Sequence, residues 1–281
     1  MKYSRLFTGG LMIAVFLASC TNEPKSDETK AADGPVAIAL KEETVTIRSG
    51  NASLISFLVY NDSVKTRRPA VIVVPEWWGL TEYPKMRARE LAKLGYVALA
   101  LDMYGDGKVA AAPDSAMAWS GPFYKSPEMS KARIDAAIAT LKSNPLVDTA
   151  NIAAIGYCFG GGILLNTARL GDELKGVVSF HGALLGTPAR KDLLRTKILV
   201  CYGNADKFET PAHVATFKKQ MDSIGASYTF IGYDSAEHAF TNPAATELGL
   251  KFKLPIAYNA RADTASWNDM KNFMARLFQA Q

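Results

Sequence analysis

Eight short apolar runs alternate with amphipathic stretches along this chain, and that alternation leaves it very few folds. The runs fall at 44–48, 54–60, 70–75, 96–102, 152–157, 176–180, 197–202 and 227–233. Several, such as AVIVVP at 70–75 and YVALALD at 96–102, are nearly continuous rather than alternating, which is how strands buried on both faces read. Apolar residues near i, i+3, i+4 spacing predict helices at about 82–94, 128–143, 159–170, 211–224 and 265–279. Strand–helix alternation of this kind predicts a mostly parallel α/β sheet of about eight strands with helices on both faces. The first two runs have no helix between them, so they predict an antiparallel hairpin at one edge. Such sheets bind ligands outside the carboxyl ends of their strands, so chemistry is sought directly after each run. Residues 105–127 break the pattern and predict a long Gly/Pro-rich loop, with Trp119, Phe123 and Tyr124 either forming a lid over a pocket or packing on the body.

The N-terminus reads as an address. Residues 1–20, MKYSRLFTGGLMIAVFLASC, combine a basic start, an apolar run from Leu11 to Ala18 and small residues ending at a cysteine, the pattern of an export signal. The run is shorter than the about 20 apolar residues that a membrane-spanning helix needs. Its end, Leu17-Ala18-Ser19-Cys20, resembles the lipobox of bacterial lipoproteins. That resemblance implies lipidation at Cys20 and a chain anchored in a bacterial cell envelope, in the outer membrane or on the periplasmic side if the cell is Gram-negative. Residues 21–43 are polar and lack sustained periodicity, as a flexible tether does. The folded domain is expected to span 44–281 and to be a monomer. The 32 basic and 27 acidic residues, or 30 against 27 without Lys2 and Arg5, give no support to nucleic-acid binding.

Within the domain, Gly156-Tyr157-Cys158-Phe159-Gly160-Gly161 stands between a predicted strand and a predicted helix. A G-x-C-x-G turn forces its central residue into a strained backbone, and the glycines remove side chains that would collide with neighbouring chain. The thiol then sits at a helix N-terminus, where the dipole favours thiolate and the Phe159 amide is open to a developing oxyanion. Gly203-Asn204-Ala205-Asp206 follows the seventh run, and Ala236-Glu237-His238-Ala239-Phe240 follows the eighth. Nucleophile, acid, histidine is the chain order of the α/β-hydrolase triad, here Cys158, Asp206 and His238. Asp206 would fix the His238 tautomer while the other ring nitrogen takes the Cys158 proton. Two rivals for the base are weaker: His181 lies too early in the chain, and His213 opens a helix expected to face solvent.

Taken together, P-E-W-W-G-L at 75–80, D-M-Y-G at 102–105, G-Y-C-F-G-G, G-N-A-D and E-H-A-F resemble the dienelactone hydrolase family over roughly residues 44–279. The resemblance implies an α/β-hydrolase fold and cleavage of a small ester or lactone through a thioester, with no metal and no cofactor. It matches Glu76 to an acidic residue that helps activate the thiol, and the amides of Trp77 and Phe159 to the oxyanion hole. Family members also grip a substrate carboxylate with two arginines. No Arg stands between Glu90 and Ala132 here, and Phe240 is followed by Thr241-Asn242-Pro243. Lys108, Lys125 and Arg261 are the remaining cations to consider, and Trp77, Trp78, Trp119, Tyr124 and Phe240 suggest an aromatic pocket wall instead. Two other classes of function stand beside hydrolysis. One is a non-catalytic envelope binding module on the same fold. The other is thiol redox chemistry, which lacks C-x-x-C and has only Cys201, inside an apolar strand, as a possible partner.

Overall fold

A computed structural model describes residues 38–279. The calls on residues 1–37, including the signal, Cys20 and most of the tether, lie outside the described residues. The described chain runs β1 (Leu40–Ser49), β2 (Ala52–Asn61), β3 (Arg68–Val74), α1 (Glu82–Lys93), β4 (Val97–Ala100), α2 (Pro113–Lys125), α3 (Pro127–Lys142) and β5 (Val147–Tyr157). It continues through α4 (Phe159–Arg169), β6 (Gly176–Phe180), β7 (Lys197–Gly203), α5 (Pro211–Ser223), β8 (Tyr228–Tyr233), α6 (Ala245–Phe252) and α7 (Ala260–Gln279). The strands form one sheet in the order β1-β2-β4-β3-β5-β6-β7-β8. β1 and β2 are the expected antiparallel edge hairpin, β2 is antiparallel to β4, and every later pairing is parallel. This is the α/β-hydrolase fold.

Period-two burial divides the core into two layers. Along β3, Ala70, Ile72 and Val74 face the layer packed by α3, α4 and α5, whereas Val71 and Val73 face the layer packed by α1 and α7. All of α4 is buried, so the helix that follows Cys158 is held by core packing along its whole length.

The structure corrects the sequence reading in three places. β1 begins at Leu40, so residues 40–43 are strand rather than tether, with Leu40 paired to Asn61. The stretch 105–127 is not one long loop, because residues 113–125 form α2. Its buried residues Ala116, Ser120 and Phe123 do follow helical spacing, but one is a serine and one an alanine, while Met117 and Tyr124 are exposed. With Phe123 the one large side chain among these buried residues, the hydrophobic stripe is weak in the sequence. α6 is likewise absent from the sequence reading; it is short, fully buries only Ala245 and Gly249, and exposes Leu250.

Candidate active site

The parallel strands deliver the chemistry at one end of the sheet. Glu76 follows β3, Cys158 follows β5, His181 follows β6, Asp206 follows β7 and His238 follows β8. Cys158 has φ +50° and ψ −113°, a conformation that L residues rarely adopt and that turns its side chain out of the strand. The turn closes only because it is flanked by glycine. A Cβ on Gly156 would lie 2.4 Å from the carbonyl carbon of Gly160, and one on Gly160 would lie 2.4 Å from the Val74 carbonyl oxygen. Both obstacles are backbone, so neither can step aside. Gly160→Ala is therefore expected to cost about 3 kcal/mol, a fall of roughly 10 °C in Tm. A thermal melt superimposable on the parent's would refute this account of the turn.

Imidazole and carboxylate meet as the order predicted: His238 Nδ1–H donates to Asp206 Oδ2 at 2.8 Å. Asp206 is fixed in turn, since its Oδ1 accepts the N–H of Phe208 at 2.8 Å and of Glu209 at 3.3 Å. Burial opposes a charged His238 ring, but the adjacent Cys158 sulfur and the bond to Asp206 outweigh it and hold the ring well above the usual histidine range. Cys158, His238 and Glu76 open into one cavity of about 400 Å³.

Glu76 is buried in that cavity, with Oε2 accepting from Asn242 Nδ2 at 2.7 Å. Loss of water raises its carboxyl from 4.5 to about 7, against the opposing pull of Asn242, His238 and Arg87. The amides of Trp77 and Phe159 have no backbone acceptor among the described residues. For Phe159 this is the open N–H of a helix's first turn. The next peptide, Trp77–Trp78, is held by Tyr104, whose Oη–H donates to the Trp77 carbonyl at 2.7 Å.

Trp77, Trp78 and Tyr124 line the cavity as expected. Trp119 and Phe240 do not: Trp119 packs on Tyr104 at 5.9 Å between centroids, and Phe240 is wholly buried against His181 and Tyr233. The cavity wall instead takes Met117, Ser120, Phe208 and Glu209. Asn242 and Glu209 carried no signal in the sequence, because each is placed by the loop after a site residue rather than by a motif of its own.

The rival histidines have other duties. His181 is 1% exposed, and its Nδ1 accepts the Cys158 N–H at 3.1 Å, a donor shared with the Phe180 carbonyl at 3.0 Å. Its Nε2 pairs with Thr241 Oγ1 at 2.7 Å, and burial together with nearby His238 keeps the ring well below the usual range, hence neutral. His213 is partly buried, with Nδ1 3.3 Å from Glu209 Oε2. Cys201 is a core residue; burial pushes its thiol up to about 12.

Fold and site together define an α/β-hydrolase with a cysteine at the nucleophile turn. Residues 55–278 match the dienelactone hydrolase family. The chain resembles the crystal structure of P91, a dienelactone hydrolase-like promiscuous phosphotriesterase from metagenomic libraries. That likeness has a TM-score of 0.80 and 32% identity over 85% of this chain and 99% of that one. A protein of Methylorubrum extorquens named carboxymethylenebutenolidase is 32% identical over 183 residues, 61% of this chain and 63% of that one. A dienelactone hydrolase structure from Klebsiella pneumoniae shares the fold at a TM-score of 0.72 and 21% identity. This chain belongs to the dienelactone hydrolase family.

Proposed function

We propose that the protein hydrolyses a small ester or lactone by thiol catalysis, with Cys158 as nucleophile, His238 as acid and base, and Asp206 as the group that orients the ring. The observation that carries this reading is the 2.8 Å His238–Asp206 bond beside a strained Cys158 in a shared cavity. In the reaction, the Cys158 thiolate attacks the carbonyl carbon, and the oxyanion is received by the amides of Trp77 and Phe159. The tetrahedral adduct expels the alcohol, which leaves with the His238 proton. Neutral His238 then takes a proton from water as its oxygen attacks the thioester, and the acid departs as thiolate and imidazolium are restored. Phenol release from activated aryl esters tests this directly. The activity named for P91 adds phosphotriesters to the substrate panel.

The pocket wall holds none of the cations considered as carboxylate anchors. Lys108 is exposed and paired with Asp106, Lys125 is exposed, and Arg261 lines a separate cleft with Asp234. Uncharged or cationic substrates therefore fit this cavity better than the anionic lactone that a pair of arginines would grip.

Glu76 gives the reading a pH signature. As Glu76 loses its proton through about pH 7, kcat/KM is expected to rise, and Glu76→Gln is expected to remove that limb. Stability runs the other way. Between pH 4.5 and about 7 the folded state binds the Glu76 proton and the unfolded state does not, so stability falls as pH rises across that window. The loss is about 3 kcal/mol. Urea titrations are expected to show Glu76→Gln more stable than the parent at pH 8, with the gap closing toward pH 5. A gap that stays constant with pH would contradict the assignment.

For residues 1–20 the proposal remains the lipoprotein signal, resting on Leu17-Ala18-Ser19-Cys20, with the enzyme held in the cell envelope. Labelled palmitate incorporated by the parent and not by Cys20→Ser tests it.

A further inference from the structure

We propose that the cavity selects esters whose alcohol portion carries a positive charge, with Glu209 facing the cationic group among the aromatic rings of the wall. This rests on the hydrolase reading above and deepens it by naming a substrate class.

The charge balance of the cavity is lopsided. Two carboxylates, Glu76 and Glu209, line it, and no Lys or Arg does. Glu76 is committed: Asn242 holds one oxygen, and His238 lies within its field. Glu209 is less well answered. It is 7% exposed, and its Oε2 takes both of its bonds, from the Leu184 N–H at 3.2 Å and from His213 Nδ1 at 3.3 Å. His213 is its sole ionisable hydrogen-bond partner among the described residues, on a side chain that is 37% exposed. Burial accordingly raises the Glu209 carboxyl above its usual value, the mark of a charge its surroundings do not fully repay.

The rest of the wall suits a cation as well. Trp77, Trp78, Tyr124 and Phe208 contribute aromatic surface, and Tyr124 and Phe208 are each 46% exposed. An alkylammonium gains from ring faces and from a desolvated carboxylate together, whereas a neutral group of the same shape gains only the apolar contact. A volume of about 400 Å³ accommodates an ester of choline size.

The test compares butyrylcholine with 3,3-dimethylbutyl butyrate, which has carbon in place of the ammonium nitrogen and the same shape. The expected kcat/KM ratio is about tenfold or more in favour of the cation. It should shrink as salt is added, and in Glu209→Gln it should fall below about threefold. Glutamine keeps an oxygen to accept from Leu184 N–H, so the variant changes charge more than packing. Turnover of the neutral ester with a ratio at or below one overturns this proposal and leaves the hydrolase reading standing. If neither ester turns over, binding decides the question of charge, and the hydrolase reading is judged on activated aryl esters. Choline and 3,3-dimethylbutan-1-ol are then titrated against Cys158→Ala while tryptophan fluorescence is followed. Tighter binding of choline supports the cation site, and equal or weaker binding overturns it.

Discussion

Replacing Cys158 with alanine is expected to lower kcat on an activated aryl ester by about 100,000-fold or more, to the uncatalysed background. Nothing else in the cavity can take over. Ser120 has no hydrogen bond to a histidine or carboxylate among the described residues, and burial raises the Tyr124 phenol far above its usual value. Alanine keeps the Cβ at the strained turn, so the fold and the cavity remain and the loss is chemical rather than structural. Thiol reagents should inactivate the parent at Cys158 alone. Cys201 is fully buried in β7, with its sulfur accepting from Tyr233 Oη at 3.6 Å, and Cys201→Ala should retain turnover. Turnover kept in Cys158→Ala would end the thiol mechanism.

Asp206→Asn is expected to cost about 10,000-fold in kcat at neutral pH with little change in Tm. The carboxylate bridges two sets of donors, with Oδ2 toward His238 Nδ1 and Oδ1 toward the Phe208 and Glu209 amides. Asparagine has one acceptor where the site needs two. If its oxygen stays with the backbone amides, its NH₂ faces Nδ1 and drives the imidazole proton to Nε2, so the ring can no longer take a proton from the cysteine side. If the amide flips, NH₂ confronts two backbone donors and the loop carrying Phe208 is displaced. A variant within tenfold of the parent rate would remove Asp206 from the mechanism.

How much of this was legible before the structure depends on which force placed each residue. The inner strands were readable because burial on both faces leaves continuous apolar runs, as in Val71–Val74. Cys158, Asp206 and His238 were readable because topology fixes their chain order and each follows a strand. The identity of the pocket wall was not readable. Trp119 and Phe240 are as aromatic as Trp78 and Tyr124, and only packing decides that Phe240 turns into the core beneath His181. α2 and α6 were missed because each fully buries only two or three residues, most of them small, while Met117, Tyr124 and Leu250 stand exposed. His181 was set aside as the base by its position, and its hydrogen bond to the Cys158 amide is a tertiary fact that no spacing encodes.

The most direct test of the account is to mix the protein with p-nitrophenyl acetate, quench in acid, digest, and locate the acetyl group by mass spectrometry. The mechanism predicts acetyl on the peptide bearing Cys158 and its absence from Cys158→Ala. Nitrophenol release with acetyl on another residue, or with no adduct under any quench, would contradict the account. No release and no adduct across a varied panel of esters and lactones would contradict it too, and would favour a binding module built on the same fold.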